Sequence, residues 1–256
     1  GTEAVSVAEL RFVPAVFATG LTVFTLLIVK ETGGKIPAIL AAGIALMVCP
    51  GFLRPGMMFM PVIFEIFFWT FFAWLIVKYL KTEQSKFLYW LGAAVGIAFL
   101  NKYSTIFYVF GILIGLALTE HRKLFQNKTL YITVGIAVLI CIPNVIWQAK
   151  LNFPVFSHMG NLRETQLVNV SALSFIGDQI LMCIPAIIIW LSGFYWLFKT
   201  KNPFKILGWI ALSVILILLI SSGKGYYTLG IYPLLIAAGS VQIEEWFFEK
   251  NKGKKH

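Results

Sequence analysis

The sequence predicts an all-α fold, a polytopic transmembrane bundle of about nine helices, and three observations carry that reading. Hydrophobic residues make up 59% of its 256 residues and charged residues 12%, with a mean hydropathy of +0.84. A soluble domain carries about 25% charged residues, and half of that does not coat a water-facing surface. The apolar residues also fall in long continuous runs, a poor match to the alternating pattern of a membrane β-barrel. Finally, the 16% aromatic content, with 23 Phe and 8 Trp, suits lipid-facing helices with aromatic belts at the interfaces.

In chain order the apolar segments are 11–29, 36–53, 59–80, 87–100, 103–119, 130–148, 171–198, 204–221 and 227–246. Most approach the length of about 20 residues that a helix needs to span the hydrocarbon core. Pro61, Pro143, Pro185 and Pro233 fall inside them, which is tolerated where neighbouring helices satisfy the freed backbone groups. The stretch 87–119 reads either as one long helix or as two short ones, and charge decides between these. With two helices and the N-terminus outside, the cytoplasmic loops hold 15 of the 21 Lys and Arg residues. Only Arg11, Arg54, Lys102, Lys150, Arg163 and Lys224 then remain outside. With one helix every later loop changes side and the inside keeps only eight, so the excess of cytoplasmic Lys and Arg favours the split.

That topology accounts for the net charge of +10 without a nucleic-acid partner. Cys49, Cys141 and Cys183 each lie within an apolar run, where they read as small buried hydrophobes and not as a disulfide or metal framework. The chain starts at Gly1 with no signal-peptide pattern and is expected to begin partway through a longer protein. It reads as a single transmembrane domain, 1–256, with a disordered basic tail over 250–256.

Charged residues at membrane depth are expensive and therefore informative. Glu65 has no charged neighbour for ten residues on either side; the plain alternative is a helix-end carboxylate reaching headgroup water. Lys102 separates two apolar runs, either as a snorkelling lysine or as a cation facing an anionic ligand. The 149–170 loop carries His158 and Arg163, without a second ligand at metal spacing. Asp178 and Gln179 open the 171–198 helix, where Asp178 reads either as a site residue or as a first-turn acid favoured by the helix dipole. The stretch Ser221-Ser222-Gly223-Lys224-Gly225-Tyr226-Tyr227-Thr228 combines a cation, two glycines and two phenols, which suits a phosphate as well as an aromatic belt. Under the split topology all of these candidates lie toward the outer side, consistent with an outward-facing site for something anionic.

The runs Leu100-Asn101-Lys102-Tyr103-Ser104, Pro143-Asn144-Val145-Ile146-Trp147-Gln148, Asn152-Phe153-Pro154-Val155 and Lys224-Gly225-Tyr226-Tyr227-Thr228-Leu229-Gly230-Ile231-Tyr232-Pro233 resemble a superfamily of membrane glycosyltransferases of the GT-C fold. It includes protein O-mannosyltransferases and lipid A aminoarabinose transferases. The similarity is greatest to a bacterial branch described as dolichyl-phosphate-mannose-protein mannosyltransferase-like. The resemblance implies a polyprenyl-phosphate sugar donor and inverting transfer at the outer face of the bacterial inner membrane. The acceptor is left open among protein, lipid and glycan.

It further implies that the main catalytic acid sits in a first external loop upstream of Gly1, so that this chain lacks that loop and the first helix and is inactive alone. Glu65 matches a second acidic position and is the catalytic candidate within the chain. Lys224 and Tyr227 match a lysine and a tyrosine near the lipid phosphate, with Tyr226 beside them. His158 and Arg163 fall in the loop over the site, while Lys102 and Asp178 complete the substrate-binding candidates. No cofactor and no metal are expected. A transporter or lipid flippase, which would be expected to show midplane ionisable residues and inverted repeats, and a structural subunit are the competing readings.

Overall fold

In the computed structural model, which describes residues 6–200 and 202–252, the described residues are helical with turns and contain no strand. The first run becomes α1 (Val7–Glu31), opened by a reciprocal capping box. The Ser6 hydroxyl accepts from the Glu9 N–H, and the Glu9 carboxylate accepts from the Ser6 N–H. The second run is not one helix. α2 (Ile36–Val48) and α3 (Pro50–Met57) meet at Cys49 with a 67° bend, because Pro50 cannot donate to the preceding turn. Next come α4 (Pro61–Thr82), α5 (Ser85–Asn101) and α6 (Thr105–Ala117), then a 3-10 segment Glu120–Gln126 and α7 (Lys128–Lys150).

The 149–170 stretch, read from sequence as a polar loop, holds the 12-residue helix α8 (Pro154–Thr165). The run 171–198 divides into α9 (Ala172–Met182) and α10 (Ile187–Phe198), bent by 73° at Cys183-Ile184-Pro185. Asp178 is the seventh residue of α9 and not a first-turn acid; Ser171 caps that helix instead. α11 (Lys205–Ile220), a 3-10 segment Gly225–Ile231 and α12 (Tyr232–Lys252) complete the chain. Of the tail read as disordered over 250–256, residues 250–252 continue α12, and 253–256 lie outside the described residues.

Among the described residues, α1, α4 and α7 are singly long and apolar enough to cross a membrane, and the count reaches six if each bent pair is one span. The nine predicted runs nevertheless alternate in direction. α1 and α4 run parallel, because Phe17 meets Phe64, Phe24 meets Phe71, and Glu31 pairs with Lys78 at 2.9 Å. α4 and α5 run antiparallel, since Asn101 bonds to Pro61 across their ends. α5 and α7 are parallel: Ser85 faces Thr129 at one end, and Tyr103 faces Asn144 at the other. The chain therefore turns back through α6, as the split of 87–119 requires. α10 and α12 are likewise parallel, from Trp190 on Tyr232 to Trp196 on Glu245, with α11 returning between them.

Glycines set how closely the helices approach. Gly92 and Gly96, one turn apart on α5, lie against the Thr133 and Ala137 carbonyls of α7. Gly111 and Gly115 of α6 lie against the Ile210 and Ile206 carbonyls of α11, and Gly193 and Gly239 bring α10 and α12 together. Packing of backbone on backbone at small residues is the way helices associate in lipid, where burial of apolar surface supplies no drive. α7 turns Tyr131, Val138, Leu139 and Trp147 outward, each more than half exposed, a face that belongs in hydrocarbon.

The bundle thus has two chemically different ends. One gathers lysines: Lys78 and Lys81 on Glu31, and Lys199 on Glu245. The other carries Glu65, Lys102 and Lys224.

Candidate active site

The first turn of α4 begins at Pro61, whose missing N–H is no loss at a helix start. One turn further on stands Glu65, 2% exposed. A carboxylate so buried needs partners, and the break between α5 and α6 supplies both. Lys102 places its Nζ 2.5 Å from Glu65 Oε2, and the Ser104 hydroxyl donates to Oε1. Lys102 reaches this point because α5 ends at Asn101, whose side-chain amide donates to the Pro61 carbonyl at 3.0 Å and pins the break onto the start of α4.

The same break is braced from the other side. The Tyr103 hydroxyl donates to Asn144 at 3.1 Å and accepts from Gln148 at 2.7 Å. Gln148 in turn accepts, through its carbonyl, the Phe153 N–H at 2.7 Å. There the chain reverses from α7 into α8 through Asn152 and Phe153, both with positive φ. The motifs singled out in the sequence are therefore parts of one contact network.

Over the ion pair lies the 3-10 segment 225–231. The Lys102 ammonium sits 4.3 Å from the Tyr227 ring centre and 5.3 Å from that of Tyr226, an attractive contact with the negative ring faces. Gln179 anchors this segment to α9: it accepts from Thr228 at 2.5 Å and from Tyr232 at 2.9 Å. A Cβ on Gly225 would come within 2.4 Å of Asp178, so this close approach admits only glycine. Asp178 thus packs under the loop that carries the tyrosines. Lys224 begins that loop and hydrogen-bonds to Gln166, beyond α8. His158 and Arg163 are exposed on α8, and neither makes a hydrogen bond with this cluster among the described residues.

A cavity of about 450 Å³ opens beside the cluster, between α3, the start of α4, α9 and the 225–231 segment. Tyr226, whose ring faces the Lys102 ammonium, joins it to the ion pair; Met58, Met60, Val62 and Leu181 make its walls apolar; Arg54 is a cation at its edge. Ser104, Gln179 and Arg54 are not among the site candidates that the sequence marks out. Ser104 lies two residues from Lys102, and that proximity is its signal in the sequence. Among the described residues no three His, Cys, Asp or Glu side chains are grouped so as to hold a metal ion.

An apolar bundle with a buried ion pair, aromatic rings and a largely apolar cavity at one end defines a polytopic helical membrane protein. Two solved structures share the fold. They are the crystal structures of ArnT from Cupriavidus metallidurans bound to undecaprenyl phosphate and in the apo state. Each superposes with a TM-score of 0.74, at 15% and 16% identity, over 92% and 91% of this chain. The chain spans 46% and 45% of those ArnT chains, a little under half of their length. No curated protein matches the sequence. Residues 4–147 match the family described as dolichyl-phosphate-mannose-protein mannosyltransferase, and the chain belongs to that family.

Proposed function

We propose that this chain is the membrane core of a glycosyltransferase that moves a sugar from a polyprenyl-phosphate donor to an acceptor at the outer face of the bacterial inner membrane. The observation that carries the reading is the Glu65–Lys102–Ser104 cluster under Tyr226 and Tyr227, next to a cavity that is apolar on most sides. Family membership and a fold shared with a protein crystallised with undecaprenyl phosphate support the same donor chemistry. A lipid phosphate needs an apolar slot for its chain and cations for its charge, and this corner offers both.

In this reading the developing charge on the leaving phosphate is met by Lys102 and Lys224, with Arg54 at the cavity edge. Donors fixed in advance where charge develops are the strongest device available to such a site. Glu65 has one oxygen on Lys102 and the other on Ser104, so its role here is to aim the Lys102 ammonium. Such a transfer also needs a carboxylate to take the acceptor proton.

The test supplies the full-length gene product with a labelled polyprenyl-phosphate sugar and follows the label into acceptor. Lys102→Met is expected to lower turnover about 100-fold, as for loss of one preorganised donor. Lys224→Ala should lower it about tenfold, as for one charge-assisted hydrogen bond. Glu65→Gln should lower kcat and leave the donor KM within about twofold, a split that follows from misaiming one cation. Substrate crossing the bilayer with no sugar transferred would replace this reading with a transporter.

A further inference from the structure

We propose that the lysine-rich end of the bundle, opposite the Glu65 cluster, binds an anionic glycerophospholipid, its headgroup in a polar pocket and one acyl chain in an adjoining groove. The polar pocket, about 680 Å³, lies between the 3-10 segment Glu120–Gln126 and the turn leading into α11. His121, Arg122 and Lys205 line it with Asn202, against the single carboxylate of Glu120. The groove, about 530 Å³, runs between α5, α6 and α7 and is lined almost wholly by aliphatic and aromatic side chains. His121 and Ile206 line both spaces, so the two adjoin at these side chains.

That adjacency selects the occupant. A free anion would fill the polar pocket and leave the groove unexplained, while an uncharged lipid would leave two cations without a partner. An amphiphile with a phosphate head and an apolar chain meets both. Arg122 can grip a phosphate through paired N–H donors, and Lys205 adds a point charge. Basic pockets between helices at this membrane side take anionic headgroups.

The polyprenyl donor is a poorer occupant, by position. α6 separates the two ends: Ser104 bonds to Glu65 just before it, and Ala117, its last residue, lines the polar pocket. Thirteen helical residues span about 20 Å at 1.5 Å each, so a phosphate at Arg122 is a helix length away from Lys102.

Native mass spectrometry of the full-length protein in mild detergent, titrated with phosphatidylglycerol or phosphatidylcholine, tests this without any sugar donor. Phosphatidylglycerol should bind at least about tenfold more tightly, and the double variant Arg122→Gln, Lys205→Gln should bind it about 30-fold more weakly. Val109→Trp, which fills the groove, should weaken both lipids, whereas Lys86→Gln, at the same end but outside the pocket, should change neither. Phosphatidylglycerol carrying a photoreactive acyl chain should label the wild-type groove around Leu113, a readout that needs no variant to fold. Equal affinity for the two lipids, or unchanged phosphatidylglycerol binding in the double variant, overturns the proposal. Displacement by millimolar inorganic phosphate alone would reduce it to an anion site, and displacement by polyprenyl phosphate would make it a donor site; either result also overturns it.

Discussion

Lys102 and Glu65 stand 37 residues apart in the chain and 2.5 Å apart in the fold, and each makes the other's burial tolerable. Removing one partner of such a pair strands a charge, at a cost of about 3–5 kcal/mol, whereas replacing both by apolar groups is often neutral. Lys102→Ala is therefore expected to lower stability in detergent by about 3 kcal/mol. The double variant Glu65→Leu, Lys102→Met should lie well below the sum of its single changes, and denaturant titration of all four proteins measures the coupling. An additive result would show that the pair holds nothing together. Both residues were legible in the sequence because a charge amid apolar residues is conspicuous, but their pairing was not, since nothing local links positions 65 and 102. Ser104, although part of the Leu100–Ser104 run, does not stand out as a site residue, for a related reason. It is the residue before α6, where a serine reads as a cap, yet its hydroxyl makes no capping bond and turns to Glu65. His158 and Arg163 look chemical in the sequence, but α8 turns both outward.

At the scale of helices, hydropathy located every run and was blind to their shape. A hydropathy window sums over residues and does not register a bend, so the breaks at Pro50 and Pro185 appeared as continuous spans. The split at Asn101-Lys102 was legible only because the side on which lysines fall depends on it. Close helix contacts had a sequence signal in glycines four residues apart, at 92 and 96 and at 111 and 115. Their importance can be measured by contrast. A Cβ on Gly92 would come 2.3 Å from the Thr133 carbonyl oxygen, so Gly92→Ala must push α5 from α7. The expected loss is about 1–3 kcal/mol, typical of overpacking. Gly135 is also helical, on α7, but has nothing within 4 Å of where a Cβ would sit. Gly135→Ala should then be neutral or gain up to about 1 kcal/mol from helix propensity. Thermal unfolding of the two variants side by side decides the matter; equal losses would mean that the α5–α7 approach is not set by the glycine.

For the whole molecule, direction along the bundle axis and charge agree without being derived from one another. The parallel pairs α1–α4, α5–α7 and α10–α12 come from side-chain contacts, while the 15-to-6 division of basic residues comes from counting. Together they put Glu65, Lys102 and Lys224 at the end with fewer lysines, the end for which the positive-inside rule predicts an outward orientation. The consequence can be tested in intact cells with the full-length protein, after Cys49, Cys141 and Cys183 are changed to Ala. A cysteine at exposed Thr165, on α8 near the proposed site, should react with a membrane-impermeant maleimide added outside. A cysteine at exposed Gln84, between α4 and α5 at the lysine-rich end, should react only after permeabilisation. The reverse pattern would turn the ion pair toward the cytoplasm. Reaction of both from outside would mean that α4 does not separate the two ends across a bilayer, and the alternation argued from α1 to α12 would then fail as a membrane topology.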